Sequence, residues 1–199
     1  MFNNPYAFIF QRAALTTLPP FLARKNAILN VQNLDNRGFG YAILSAMHPP
    51  KSGPAYRPSR YNLLFEKHPE IASLSYPIDV ENLAEVEQLL KIPINVFSFS
   101  DKDGRQRYPL YVSHIDMEKA YDLLYWNGQF AWIKSFTRFM ADTSKNEHKG
   151  WFCKRCLRRF TKERVLIKHY KDCRGYGAVE SASKRRKTLA AIRHDHDYC

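Results

Sequence analysis

The chain has 199 residues, 45% of them hydrophobic, and a formal charge of +12 at neutral pH. That length holds a moderate domain with a buried core plus a small module, and nothing approaches the roughly 20 uninterrupted apolar residues of a membrane-spanning helix. The excess of Lys and Arg suits a polyanion, nucleic acid ahead of an acidic membrane surface, although many soluble domains are merely basic.

Residues 1–24 show no sustained period and carry the Pro19-Pro20 break, so they read as a loosely ordered lead-in. The apolar run Tyr6 to Phe10 is cut by Gln11-Arg12 and has no basic segment before it, which speaks against a signal peptide and against secretion. Ala27 to Val31 predicts a strand. Beyond Asp35-Asn36-Arg37-Gly38, the spacing of Phe39, Ala42, Ile43 and Met47 predicts a helix closed by Pro49-Pro50. Residues 48–60 are proline-rich and predict a surface loop.

Val80, Leu83, Val86, Leu89 and Leu90, with Glu81, Glu85 and Glu87 between them, predict an amphipathic packing helix with an acid-rich start. Four segments rich in β-branched and aromatic residues follow: Ile94–Phe99, Arg107–Ser113, Ala120–Trp126 and Phe130–Phe136. Asn127-Gly128 between the last two is a hairpin signal. The expected fold class is α+β over residues 25–142, with early helices packed on a later, largely antiparallel sheet, then a linker over 143–150.

From Trp151 the spacing changes character. Cys153 and Cys156 flank a tight knuckle, and His169 and Cys173 lie one turn apart on a helix face, so four N/S ligands can close a tetrahedron around one Zn²⁺. Phe160 and Leu166 supply a miniature core, and the segment 151–174 reads as a small ββα zinc finger. So short a module folds on its metal, and four protein ligands leave no open position for catalysis, so the zinc is structural. Three cysteines in one such window fit a reducing compartment better than a disulfide framework.

Lys162, Val165 and Lys168 occupy the positions that face DNA from the helix of a finger, with Arg158, Arg159 and Arg164 beside them and Lys154, Arg155 and Lys171 adding charge. One finger reads about three base pairs, so weak or non-specific binding is expected, DNA ahead of RNA. Lys184, Arg185, Arg186 and Lys187 lie in an expected disordered basic tail over 175–199 and form a candidate nuclear-import signal; the expected location is the nucleus, otherwise the cytoplasm.

Asp35-Asn36-Arg37-Gly38-Phe39-Gly40-Tyr41-Ala42-Ile43, followed by Leu123 to Phe130, resembles the two motif blocks of OTU-like, papain-fold cysteine peptidases. In that family the first block carries the nucleophilic Cys at a helix start and the second the His that activates it. The matching positions here are Gly38 and Gln129. Residues from about Leu18 to Cys173 also resemble the N-terminal region of polymerase-associated proteins of Polinton (Maverick) type DNA transposons, through Leu34 to Pro49, Ile94 to Phe97, Tyr108 to Leu110, Trp132 to Arg138 and the finger. The resemblance implies a papain/OTU-like fold and an ancestry in DNA replication. A type B DNA polymerase commonly follows the finger in such relatives, and these 199 residues hold none.

With glycine and glutamine at the two key positions and no Cys before Cys153, no peptidase chemistry is expected, and no small-molecule substrate either. His48, His68 and His114 read as surface histidines. The sequence therefore points to a zinc-dependent nucleic-acid-binding protein carrying an inactive peptidase-like scaffold able to meet a protein partner. The alternative is a protein-interaction module for a ubiquitin-like partner in which the finger is purely structural.

Overall fold

The computed structural model describes residues 17–100, 106–141 and 150–175. Its first ten-residue helix comes from a segment with scarcely a polar side chain, Gly38–Met47, and every residue from Gly38 to Ala46 is buried. A helix apolar on all sides must be covered on all sides. The helices, with the one just described labelled α2, are a turn α1 (Pro20–Ala23), α3 (Asn62–Lys67) and α4 (Pro69–Ala72), and later come α5 (Leu83–Leu90) and α6 (Phe136–Met140). The chain builds the cover of α2 from a sheet and from the short helices α3, α4 and α5.

The sheet comprises β1 (Ile28–Leu29), β2 (Ile94–Phe99), β3 (Arg107–Tyr111), β4 (Tyr121–Trp126) and β5 (Gln129–Ile133), in the order β1-β5-β4-β2-β3. The fold class is α+β as expected, but the sheet is mixed. β1/β5, β4/β5 and β2/β3 are antiparallel, whereas the central β2/β4 pair is parallel, with Ile94 opposite Tyr121 and Phe97 opposite Leu124. The reason is topological: β3 carries the chain back to the level where β2 began, and β4 enters on the other side of β2 from that level. Asn127-Gly128 makes the expected tight turn, both residues at positive φ.

Strand alternation gives the sheet two buried faces. Ile94, Val96, Leu123 and Phe130 pack with α2, α3, α4 and α5; Phe97, Phe99, Leu124, Ala131 and Ile133 pack with α1 and α6. Of the expected lead-in, residues 1–16 lie outside the described residues, and in the remainder Leu22 of α1 is fully buried, so the packed domain starts before residue 25. The proline-rich stretch is pinned at its far end by the buried Tyr61, whose hydroxyl donates to Ala55 O at 2.7 Å. Among the described residues no helix is long and apolar enough to cross a membrane.

The helix expected over Val80 to Leu90 is a 3-10 turn, Val80–Asn82, running into α5. Its acids do not all face water. Glu87 is 1% exposed and its carboxylate accepts from the Ile94 amide (2.9 Å), the Tyr111 hydroxyl (2.7 Å) and the His114 amide (3.1 Å). Burial pushes this carboxyl up, but hydrogen bonds from Ser113, Ile94, Tyr111 and His114 outweigh it and hold the pKa below the usual carboxylate range. A depressed folded-state pKa contributes stability that is present above the unfolded value and lost as pH falls through the folded one. Glu87→Ala, which strands these donors, is expected to cost about 3 kcal/mol in urea unfolding at pH 7, with the gap to the parent protein narrowing in acid.

Candidate metal centre

Beyond residue 149 a hairpin of two-residue strands, β6 (Trp151–Phe152) and β7 (Arg159–Phe160), leads into helix α7 (Glu163–Asp172). The knuckle between the strands closes through Cys153 N–H to Arg158 O (3.0 Å) and Leu157 N–H to Cys153 O (2.7 Å), with Leu157 at φ 60°. Leu166 of α7 is buried, and the half-buried Phe160 ring lies 4.8 Å from that of His169.

This framework brings all four expected ligands together: one donor atom from each of Cys153, Cys156, His169 and Cys173 lies within 4.8 Å of the others. Cys153 Sγ is 3.5 Å from Cys173 Sγ, and Cys156 Sγ is 3.2 Å from His169 Nε2. Around a tetrahedral Zn²⁺ the corresponding spans are about 3.8 Å for S···S and about 3.6 Å for S···N, so the residues fit that ion after a small outward adjustment. None of the three sulfurs is in a disulfide. Burial pushes the Cys153 thiol up to about 12, against the pull of the Cys156 and Arg155 amides at its sulfur, and burial also raises Cys156. Binding of a metal cation must therefore displace thiol protons.

The hairpin does not stand apart from the sheet. Phe152 is buried in the cluster under β2 and β4, edge-on to Phe136 with centroids 6.4 Å apart. Lys154, one residue past the first ligand, reaches Asp122 of β4 with Nζ to Oδ2 at 2.9 Å, and the other carboxylate oxygen accepts from Asn95 Nδ2 at 2.9 Å. Burial raises the Asp122 carboxyl, while Lys154 and Asn95 draw it back down. Lys154, grouped by sequence with the phosphate-facing cations, is instead committed inward, its side chain 16% exposed. Asp122 and Asn95 escaped sequence reasoning, though an Asp inside the apolar run Tyr121-Asp122-Leu123-Leu124 was a readable signal.

The remaining basic positions fall where α7 puts them. Lys162 precedes the helix in extended conformation; Lys162, Arg164, Val165, Lys168 and Arg158 are exposed, and Arg159 is half-buried against Gly150. At about 100° per residue, Arg164, Lys168 and Lys171 fall within about 60° of one another and roughly opposite Leu166. Lys184, Arg185, Arg186 and Lys187 lie outside the described residues.

The two positions matched to peptidase motifs also meet. Gly38 opens α2 and Gln129 opens β5, and a Cβ added to Gly38 would lie 2.7 Å from Gln129 Oε1. Gln129 Nε2 donates to Asn33 Oδ1, and Asn33 Nδ2 donates to Asp35 O at 2.6 Å and Oδ1 at 3.0 Å.

Lys154→Ala leaves the buried Asp122 carboxylate without its cation and is expected to cost about 3 kcal/mol by urea unfolding, most of it recovered when Asp122→Asn is added. Gly38→Ala forces the Gln129 side chain off Asn33, so its cost, about 1 kcal/mol, is expected to shrink in a Gln129→Ala background in a double-mutant cycle. Comparison with protein-family models, with curated proteins and with solved structures finds no match to the chain.

Proposed function

We propose that residues 151–174 are a structural zinc finger that binds nucleic acid weakly and without sequence preference, DNA ahead of RNA, and is carried on a peptidase-like domain that does no chemistry. The observation that carries the reading is the division of α7 into two faces: Leu166 and His169 turn toward the small core and the metal ligands, and Arg164, Lys168 and Lys171 form a cationic stripe on the far side. A stripe of that kind neutralises phosphates and releases counterions, which makes affinity steeply salt-dependent. A single module supplies too few base contacts for selectivity.

The peptidase-like part of the reading draws support from Gly38 and Gln129. They face each other across the start of a buried helix, the arrangement in which papain-fold enzymes hold thiolate and imidazole, yet neither can act as nucleophile or base. On this reading the α+β domain is a scaffold and a surface for a protein partner, and the natural place of the protein is the nucleus.

The test is a fluorescence-anisotropy titration of a short DNA duplex, and of RNA, with the zinc-loaded full chain across a salt series. Affinity is expected to fall steeply with salt and to drop at least tenfold in Arg164→Glu/Lys168→Glu/Lys171→Glu. It should collapse in Cys153→Ser/Cys156→Ser, which should also lose its bound zinc. A folded, zinc-loaded chain with no affinity at low salt sinks the nucleic-acid reading and leaves the ubiquitin-like protein partner as the better one.

A further inference from the structure

The histidines read as unconnected surface residues, His48 and His68, are brought together. Their Nε2 atoms lie 2.8 Å apart and their ring centroids 5.0 Å apart. The same backbone device sets both. His48 caps the C-terminus of α2 and His68 that of α3, each amide donates to the carbonyl four residues back (Leu44 and Leu64, both 2.9 Å), and φ is −124° in one and −123° in the other. Each precedes a proline, Pro49 and Pro69, which confines the backbone further.

Glu70 completes the cluster. Its Oε1 lies 2.9 Å from His68 Nδ1, so the carboxylate accepts a hydrogen bond from the Nδ1–H of that ring and the Nε2 lone pair is left facing His48. This is the carboxylate–histidine arrangement that orients imidazole ligands in metal sites. We infer that His48 and His68, with Glu70 behind His68, form a second metal site, for a divalent late transition ion of the Ni²⁺, Cu²⁺ or Zn²⁺ type.

The geometry is close to what such an ion needs. Two nitrogens at about 2.05 Å from a tetrahedral ion are about 3.3 Å apart, and at right angles about 2.9 Å apart. Slight turning of the exposed His48 ring converts the N–H···N contact into a two-nitrogen clamp, its proton moving from Nε2 to Nδ1. Imidazole pairs suit these ions rather than Mg²⁺ or Ca²⁺, which prefer oxygen. The remaining coordination positions open to solvent, so water fills them and the site is weaker than the four-ligand centre. It shares no residue with that centre and does not depend on the nucleic-acid reading.

The test uses the full chain loaded with one equivalent of Zn²⁺, in a His194→Ala/His196→Ala background that removes the two terminal imidazoles, titrated with Ni²⁺ by calorimetry. One further Ni²⁺ per chain is expected. It should disappear in His48→Ala and in His68→Ala, and weaken about tenfold in Glu70→Gln. Should His68→Ala fail to fold, His48→Gln decides alone, since its carboxamide can still hydrogen-bond His68 but ligates poorly. No second equivalent in the folded parent, or Ni²⁺ binding undiminished in His48→Gln, overturns the site and leaves a hydrogen-bonded histidine pair.

Discussion

Every residue of α2 from Gly38 to Ala46 is out of water, and a helix in that position imposes its needs on whatever surrounds it. It has no polar face to offer solvent, so β4 and β5 must close one side while the aromatic residues of the segment after it close the other. Phe39 meets Phe130 of β5 edge-on at 5.3 Å, and Tyr41 meets Tyr61 and Phe65 in the same way at 5.8 and 5.1 Å. Gly40 is part of the fit, because a Cβ there would run into Phe65 and the Tyr76 hydroxyl. The segment that follows the proline-rich surface loop is thus the second wall of the core: it delivers Tyr61 and Phe65 to α2, and its continuation brings His68 up to His48.

The opposite face of the sheet has a different requirement. β4 and β2 present Asp122 and Asn95 among Phe97, Phe99 and Leu124, and a carboxylate in those surroundings needs a cation. Lys154 supplies it from the knuckle of the hairpin, and Phe152 fills the apolar space nearby. A buried ion pair contributes little net stability compared with an apolar pair, but it discriminates strongly against arrangements that leave one member unpaired. The position of the hairpin on the sheet is therefore specified by charge as well as by packing. The knuckle that holds Lys154 also holds Cys153 and Cys156, so whatever orders the ligand cluster orders the docking contact too.

Much of this was readable in order along the chain, for physical reasons that differ from part to part. The four candidate ligands were legible because cysteine and histidine at knuckle and helix-turn spacing have few other uses, and the structure gathers their donor atoms within 4.8 Å of one another. The helix at Phe39 to Met47 and the hairpin at Asn127-Gly128 follow local rules. The parallel β2/β4 pair did not emerge because strand direction depends on which side of β2 the chain returns to, a non-local choice. Glu87 and Lys154 were misplaced for a related reason: a charged residue reads as solvated until the buried donors, or the buried carboxylate, that it serves are known. His48 and His68 stand 20 residues apart with nothing local to connect them.

The start of α2 is held by a chain of hydrogen bonds as well as by apolar packing. Gln129 lies over the bare Cα of Gly38 and donates to Asn33, Asn33 donates to Asp35, and Asp35 accepts from the Arg37 amide at 3.1 Å and the Tyr41 hydroxyl at 3.1 Å. Carboxylate charge near the first turn also suits the positive end of the helix. Burial and the neighbouring Asp35 push Tyr41 up to about 12. The chain of contacts is thus made of two carboxamides, a carboxylate and a phenol that keeps its proton at neutral pH. The network ties the start of β5 and the segment before α2 to the first turn of that helix, and so fixes where the helix begins.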